Sequence, residues 1–229
     1  MLIGNISTVI FDLDRTLWDF DKNSREVLSD LFSGAANESN QSIETIVHTY
    51  EHYNFLLWAK YQKNEIDRDQ LRIMRFDSVL KHFGVWSEDI SSEMAENYVE
   101  RCPQKTALID GTIELLEYLK PKYNLHVLSN GFAPVQHIKL GNSGLKDYFD
   151  LIVCPDTVGC KKPCKKIFHY TVGRAKIKDL STAVYIGDEY STDFVGATKA
   201  GLQAIHFDVH ATHQTSKRVG HLNELKAIL

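Results

Sequence analysis

Two carboxylates follow a short apolar run near the start of the chain. Val9, Ile10 and Phe11 precede Asp12, and Asp14 comes two positions later. An apolar run of this kind is typical of a strand buried inside a sheet, and it would deliver both acids to its carboxyl end. Acids are costly in such a place unless they are paired or bound to a cation. The pair therefore predicts a site for a metal ion and a phosphate group.

Three further polar clusters occur later in the chain. Two of them directly follow apolar runs: Ser129-Asn130-Gly131, and Gly187-Asp188-Glu189 with Asp193 five residues after Asp188. The third, Lys161-Lys162-Pro163, lies between two apolar runs. Ligands of open parallel sheets bind outside the carboxyl ends of the strands. If the apolar runs form one parallel sheet, these clusters meet on the same edge.

The chemistry of such a site follows from its charges. Clustered carboxylates repel one another, and a bound cation offsets them. Oxygen ligands of this kind suit Mg²⁺, while a hydroxyl (Ser129 or Thr16) and a lysine would hold phosphate oxygens. One aspartate could attack phosphorus, and the other could protonate the leaving group and then activate water. The chain has no Gly-x-x-x-x-Gly-Lys-Ser/Thr loop, which argues against a P-loop nucleoside triphosphatase.

Apolar runs alternate with helical patterns in the second half of the chain. We predict strands at 125–129, 151–153, 183–186 and 203–207, besides a first strand at 2–11. Helices are expected at 112–120 and 165–175, and a third one is expected to end at Gly201. This alternation predicts right-handed crossovers and a parallel α/β sheet.

The segment 18–102 has a helical pattern throughout and contains no good strand. It interrupts the α/β pattern just after the first strand. We therefore predict two domains, an α/β domain formed by 1–17 and 103–229 and an all-helical domain formed by 18–102. Hinges are expected at 19–21 and 103–109.

The overall composition is that of an ordinary globular protein. The chain has 229 residues, of which 43% are hydrophobic and 24% charged, and its net charge is −4. A mixed, slightly acidic charge argues against binding to a nucleic acid polymer or a membrane surface. No apolar stretch reaches 18 residues and no secretory signal is recognised, so the expected location is cytoplasmic.

Other candidate metal ligands are weaker. Cys160 and Cys164 have a possible ligand spacing, but lysines crowd that segment, so reduced thiols without a zinc ion are expected. The C-terminal histidines show no convincing ligand spacing; they are His206, His210, His213 and His221.

Taken together, the motifs resemble the haloacid dehalogenase superfamily of phosphohydrolases. The resemblance spans the whole chain and depends on four motifs in the expected order: Asp12-x-Asp14-x-Thr16, Ser129-Asn130-Gly131, Lys162-Pro163, and Gly187-Asp188-x-x-x-x-Asp193. It implies a Rossmann-like parallel sheet core with an inserted all-helical cap domain, which closes over the substrate.

The resemblance also implies a role for each motif. Asp12 would be the nucleophile and Asp14 the general acid and base. The phosphate would be bound by Thr16, Ser129, Asn130 and Lys162. Mg²⁺ would be held by Asp12, the backbone carbonyl of Asp14, and Asp188, with support from Asp193.

Arg15 departs from the superfamily pattern, in which many members have glycine at this position. The stretch from Asp14 to Phe20 looks most like the pyrimidine 5′-nucleotidase branch, which acts on nucleoside monophosphates. Arg15, Asp19 and Phe20 lie close to the nucleophile in sequence, so we expect them to line the substrate pocket.

The expected function is a Mg²⁺-dependent phosphomonoester hydrolase that forms an aspartyl-phosphate. Its partner would be a small phosphorylated metabolite, with nucleoside monophosphates favoured, and the protein would be a monomer or homodimer. The alternatives are a phosphatase of a sugar phosphate or phosphoglycolate, a phosphosugar mutase, a 2-haloacid dehalogenase and a non-catalytic binding protein. Asp14 argues against the dehalogenase, whose relatives lack an aspartate at this position.

Overall fold

The computed structural model describes residues 4–229 and divides the chain into two compact units. The chain up to Phe20 and Thr106–Leu229 form one unit, here called the sheet unit. Asp21–Lys105 form the other, here called the helical unit. The predicted start of the first strand, at residues 2 and 3, lies outside the described residues.

Within residues 4–229, the sheet unit contains six parallel strands. They are β1 (Thr8–Phe11), β2 (Asn124–Leu128), β3 (Leu151–Val153), β4 (Ala183–Gly187), β5 (Gln203–Phe207) and β6 (Arg218–Val219). Their order in the sheet is β3-β2-β1-β4-β5-β6. The prediction of a parallel α/β sheet is therefore confirmed.

Helices alternate with the strands along the sequence of the sheet unit and make up the helical unit. They are α1 (Phe20–Leu31), α2 (Ser33–Ser39), α3 (Ile43–Gln62), α4 (Arg68–His82), α5 (Glu88–Arg101), α6 (Thr112–Leu119), α7 (Ala133–Asn142), α8 (Pro155–Val158), α9 (Lys165–Arg174) and α10 (Val195–Lys199). A π-helical turn, Tyr190–Phe194, leads directly into α10.

Some elements of the structure differ from the prediction. Among the described residues, β1 begins at Thr8, later than predicted, because a turn at Gly4 and Asn5 precedes it. The last predicted helix ends at Lys199, and Gly201 follows it with a φ of +93°, a left-handed conformation that glycine adopts readily. β6 was not predicted, since two residues are too few to show a periodic pattern.

β1 lies in the middle of the sheet and is buried on both faces. All four of its residues are buried, which explains why its sequence shows no alternation of polar and apolar residues. On one face, Ile10 belongs to an apolar cluster that includes Phe168 of α9 and Tyr185 of β4. The rigid central strand places the residue that follows it, Asp12, at a fixed point of the sheet edge.

The helical unit has an aromatic core of its own. Tyr50 lies 5.2 Å from Phe76, 5.9 Å from Tyr98 and 6.0 Å from Phe32, measured between ring centroids.

The Asp67 side chain accepts a hydrogen bond from the backbone N–H of Gln70 at the start of α4, where both halves of a capping box are present. Of the helices in residues 4–229, none combines the length and the hydropathy needed to cross a membrane.

Burial of β1 gives a stability prediction. Replacing Ile10 with alanine should lower the free energy of unfolding by about 2–5 kcal/mol, because the side chain is fully buried and leaves a cavity. Urea unfolding measures the change. As a matched control, Ile138→Ala on α7 removes a side chain that is 40% exposed and should cost less than about 1 kcal/mol. Equal losses for both variants would contradict the central position of β1.

Candidate active site

The register of three adjacent strands brings the predicted motifs to one edge of the sheet. Phe11 of β1 is aligned with Val127 of β2 and with Ile186 of β4. The backbone N–H of Asp12 donates to the carbonyl of Ile186 at 2.8 Å. From β1, the chain adds β2 and β3 on one side of the sheet and β4, β5 and β6 on the other. Ligands of open α/β sheets bind at the point where the direction of strand addition changes in this way.

Lys162 is the centre of the site's hydrogen-bond network. Its ammonium nitrogen, Nζ, lies 2.6 Å from Asp12 Oδ1, 2.7 Å from Asp193 Oδ1 and 2.7 Å from the Tyr185 hydroxyl. These three contacts use all three N–H groups, and the lysine is buried. Tyr185 was expected only as an apolar strand residue; the signal that could have identified it is that a buried tyrosine hydroxyl needs a partner.

Three carboxylates gather around this lysine. One carboxylate oxygen from each of Asp12, Asp188 and Asp193 lies within 4.8 Å of the other two. Burial raises the pKa of Asp12 to about 7, against the opposing effect of Lys162. Burial, and then the charges of Asp12 and Asp193, raise the pKa of Asp188 well above its ordinary value. Conversely, the two acids raise the pKa of Lys162 despite its burial.

One buried lysine does not balance two buried acids, Asp12 and Asp193, and a half-buried third, Asp188, and this imbalance tests whether a metal fits. A dication would supply the missing positive charge, and the donors are all carboxylate oxygens, which hard cations prefer. The residues present therefore fit Mg²⁺.

Gly187 is required by the position of Asp193. The Asp193 carboxylate lies against the Gly187 backbone, and a Cβ built on Gly187 would come 2.6 Å from Asp193 Cγ. Asp193 Oδ2 also accepts the backbone N–H of Glu189 at 3.1 Å. Gly187 and Asp193, which belong to the same sequence motif, are thus in direct contact, and the contact requires glycine at position 187.

Asp14 is held by a different set of partners. Lys139 Nζ lies 2.5 Å from Asp14 Oδ1, and Gln136 Nε2 lies 2.8 Å from Asp14 Oδ2. The second N–H of the Gln136 amide donates to Ser129 Oγ at 2.6 Å. Sequence reasoning missed Gln136 and Lys139, although their i, i+3 spacing puts them on one face of α7.

The predicted phosphate-binding side chains contact other members of the site. Thr16 Oγ1 donates to Asp188 Oδ1 at 3.2 Å. The Asn130 amide bonds twice to the backbone of Lys162, accepting its N–H at 2.7 Å and donating to its carbonyl at 3.1 Å. Ser129 Oγ accepts the N–H of Gly131 at 3.1 Å. The structure thus links the core motifs into one network.

The three residues predicted to line the pocket, Arg15, Asp19 and Phe20, make different kinds of contact. Arg15 has a φ of +62°, a left-handed conformation that is costly for most residues with a side chain and that glycine adopts readily. Its guanidinium carbon lies 4.4 Å from the centroid of the Phe20 ring, and Lys139 Nζ lies 5.5 Å from the same ring. For Asp19, the backbone N–H donates to the carbonyl of Ala107 at 3.0 Å.

Comparisons with known proteins agree with this arrangement. The family model for haloacid dehalogenase-like hydrolases matches residues 9–207. The chain belongs to this family.

Curated relatives narrow the class of enzyme. Pyrimidine 5′-nucleotidase YjjG of Escherichia coli K12 is 29% identical, over 96% of this chain and 96% of its own. Pyrimidine 5′-nucleotidase PynA of Streptococcus pneumoniae is 30% identical, over 88% of this chain and 84% of its own. The crystal structure of the HAD-hydrolase YfnB of Bacillus subtilis, bound to magnesium, is 26% identical, covers 98% of this chain and 99% of its own, and has a TM-score of 0.88. The protein is a phosphatase of the family, a hydrolase of phosphoric monoesters.

The contact between Gly187 and Asp193 gives a second stability prediction. Gly187→Ala should destabilise the protein by about 1–3 kcal/mol, because the new methyl group displaces a carboxylate that Lys162 and Glu189 hold. Gly141→Ala on α7 is the control, since its Cβ meets nothing within 4 Å and alanine favours a helix. Unchanged unfolding of Gly187→Ala in urea would mean that Asp193 is not fixed against the glycine.

Proposed function

We propose that the protein is a Mg²⁺-dependent phosphatase that forms an aspartyl-phosphate on Asp12 and acts on small phosphorylated metabolites, with nucleoside monophosphates favoured. The observation that carries this proposal is the placement of two acids in separate environments. Asp12 is bound to Lys162 within the acidic cluster, and Asp14 is bound to Lys139 and Gln136.

Asp12 is assigned as the nucleophile. Lys162 holds Oδ1, which leaves Oδ2 as the oxygen that attacks phosphorus. Burial alone would favour the neutral acid, so the ammonium of Lys162 is needed to keep the attacking form ionised. In the first step the Asp12–phosphorus bond forms and the bond from phosphorus to the leaving oxygen breaks. In the second step water attacks phosphorus, which releases phosphate and restores the carboxylate.

Asp14 is assigned as the proton donor and acceptor. It gives a proton to the leaving alkoxide in the first step and takes one from water in the second. Lys139 and Gln136 fix both oxygens of this carboxylate, so we assign them as positioning residues.

Mg²⁺ would be held by Asp12, the backbone carbonyl of Asp14, and Asp188, with Asp193 beside them. Bound there, it would offset the charge of the acids and of the phosphate. Thr16 orients Asp188 through its hydroxyl, and Asn130 holds the backbone of Lys162. We therefore propose that both residues contribute to phosphate binding indirectly, that Ser129 donates its hydroxyl to the phosphate, and that Lys162 redirects one of its three N–H groups to a phosphate oxygen.

Substrate choice is assigned to the pocket residues and the helical unit. The preference for nucleoside monophosphates is supported by the two nucleotidases among the relatives. Arg15, Asp19 and Phe20 are proposed to line the pocket, and the helical unit is proposed to act as a cap that excludes water during the reaction.

Phosphate release from a panel of substrates tests the proposal. With Mg²⁺, release should be greatest from pyrimidine nucleoside monophosphates, smaller from purine nucleotides and sugar phosphates, and abolished by EDTA. Asp12→Asn should fall to background because an amide is not a nucleophile, whereas Asp147→Asn, at an exposed position, should keep full activity.

The outcomes of this panel separate the alternatives. Release from sugar phosphates alone would keep the mechanism and exclude the nucleotidase assignment. Full activity of Asp12→Asn, or turnover in EDTA, would contradict the mechanism. No release from any substrate would favour a mutase, a dehalogenase or a binding protein.

The contacts of Asp14 predict a further kinetic effect. Lys139→Met should lower kcat by about a hundredfold with a smaller change in KM, because Asp14 loses the partner that fixes it, and misplaced catalytic groups cost about this much. Lys139→Arg should recover part of the rate. Lys146→Met removes an exposed lysine from the same unit and serves as the control. A wild-type kcat in a folded Lys139→Met variant would contradict the positioning role.

A further inference from the structure

A second group of potential metal ligands lies at the end of β5. One ligand atom from each of His206, Asp208 and His213 lies within 4.8 Å of the other two. His206 and Asp208 are buried, and His213 is exposed to solvent. The sequence shows no ligand spacing among the C-terminal histidines, because the chain must turn back after β5 to bring His213 to this point.

The buried histidine presents a nitrogen that no hydrogen bond satisfies. His206 Nε2 lies 2.8 Å from the backbone carbonyl of Asp188, and because a carbonyl only accepts, Nε2 carries the proton. In the neutral ring, Nδ1 then has a lone pair. Within residues 4–229 this atom has no hydrogen-bond partner, although His206 is 1% exposed. Buried polar atoms without a partner are rare and often mark the site of an ion or water.

A carboxylate oxygen lies near this lone pair. Nδ1 of His206 lies 3.7 Å from Asp208 Oδ2. Asp208 Oδ2 accepts the backbone N–H of His213 at 3.0 Å and Asp208 Oδ1 accepts the Thr212 hydroxyl at 3.2 Å, and hydrogen bonds of this kind favour the ionised carboxylate. A lone pair facing a carboxylate repels it unless a cation lies between them. Two ligands about 2 Å from a tetrahedral metal are about 3.3 Å apart, close to the observed separation.

The third ligand is held in place by its neighbours. The Thr212 hydroxyl donates to Asp208 Oδ1 at 3.2 Å, so its oxygen accepts from Nδ1 of His213 at 2.9 Å. This leaves Nε2 of His213 without a proton and therefore able to bind a metal. The His213 ring also stacks on Tyr190, with centroids 4.2 Å apart and planes 8° apart. Partners of this kind orient the histidine ligands of metal sites.

We propose that His206, Asp208 and His213 bind a divalent transition metal of the Zn²⁺ type, with solvent completing the coordination on the exposed side. Two imidazoles and one carboxylate suit Zn²⁺, whereas Mg²⁺ prefers oxygen ligands alone. The site is separate from the acidic cluster but joined to it by the hydrogen bond from His206 to the Asp188 carbonyl.

Equilibrium dialysis against Zn²⁺, in excess Mg²⁺ to occupy the acidic cluster, tests this site without measuring catalysis. The wild-type chain should bind one Zn²⁺, and His213→Ala should weaken binding at least tenfold. His213 is exposed, so its replacement should leave the fold intact, and circular dichroism checks this. The matched control is His210→Ala, an exposed histidine outside the cluster, which should bind as the wild type does.

Two further variants locate the ion. Asp12→Asn alters the acidic cluster, and Cys160→Ser removes one of two neighbouring free thiols; both should retain the Zn²⁺ site. The proposal is overturned if the wild type binds no Zn²⁺ at all, if His213→Ala binds with unchanged affinity, or if either of these two variants loses the ion.

Discussion

The sheet edge depends on a single buried ammonium group. Lys162 separates the buried carboxylates of Asp12 and Asp193, which would otherwise repel each other. Breaking a buried ion pair by removing one partner is strongly destabilising, because the remaining charge is left uncompensated. The supports around this lysine follow from that constraint. Asn130 holds its backbone, Tyr185 takes its third N–H, and Gly187 leaves room for Asp193.

The two acids of the first motif differ because their neighbours differ. Asp12 is nearly buried and lies among other carboxylates, so its charge depends on Lys162. Asp14 is less buried and is held by two side chains of α7, one charged and one neutral. Pairs of titratable groups in contrasting environments are how a single site can provide both a nucleophile and an acid–base group. The same helix connects Asp14 to Ser129 through Gln136, so one element positions parts of two motifs.

Much of the fold could be predicted from the sequence, because apolar runs and helical spacing are local signals. The strands 151–153 and 203–207 have the predicted bounds, and those predicted at 125–129 and 183–186 differ by one residue at an end or at both. β1 begins later than predicted, and β6 was not predicted. Contacts between distant side chains give no such signal. Nothing in the order of residues says that Lys139 reaches Asp14 across 125 positions, or that Asn130 bonds to Lys162 rather than facing the site.

The spacing of motifs in the sequence also does not predict local backbone conformation or which side chains a turn brings together. Arg15 could be identified as a departure from glycine, but its left-handed backbone and its contact with Phe20 appear only in three dimensions. The cluster of His206, Asp208 and His213 was missed because its geometry depends on the turn after β5. Such turns are set by hydrogen bonds of individual side chains, here those of Asp208 to Thr212 and His213, and not by a periodic pattern.

The most direct measurement is to trap the covalent intermediate during turnover. Acid quenching with substrate and Mg²⁺ present, followed by borohydride reduction and peptide mapping, converts a phosphorylated aspartate to homoserine at its position in the chain. We predict that homoserine appears at residue 12 and that Asp14 is unmodified. Homoserine at residue 14, or turnover without any modified aspartate, would contradict the assignment of Asp12 as the nucleophile.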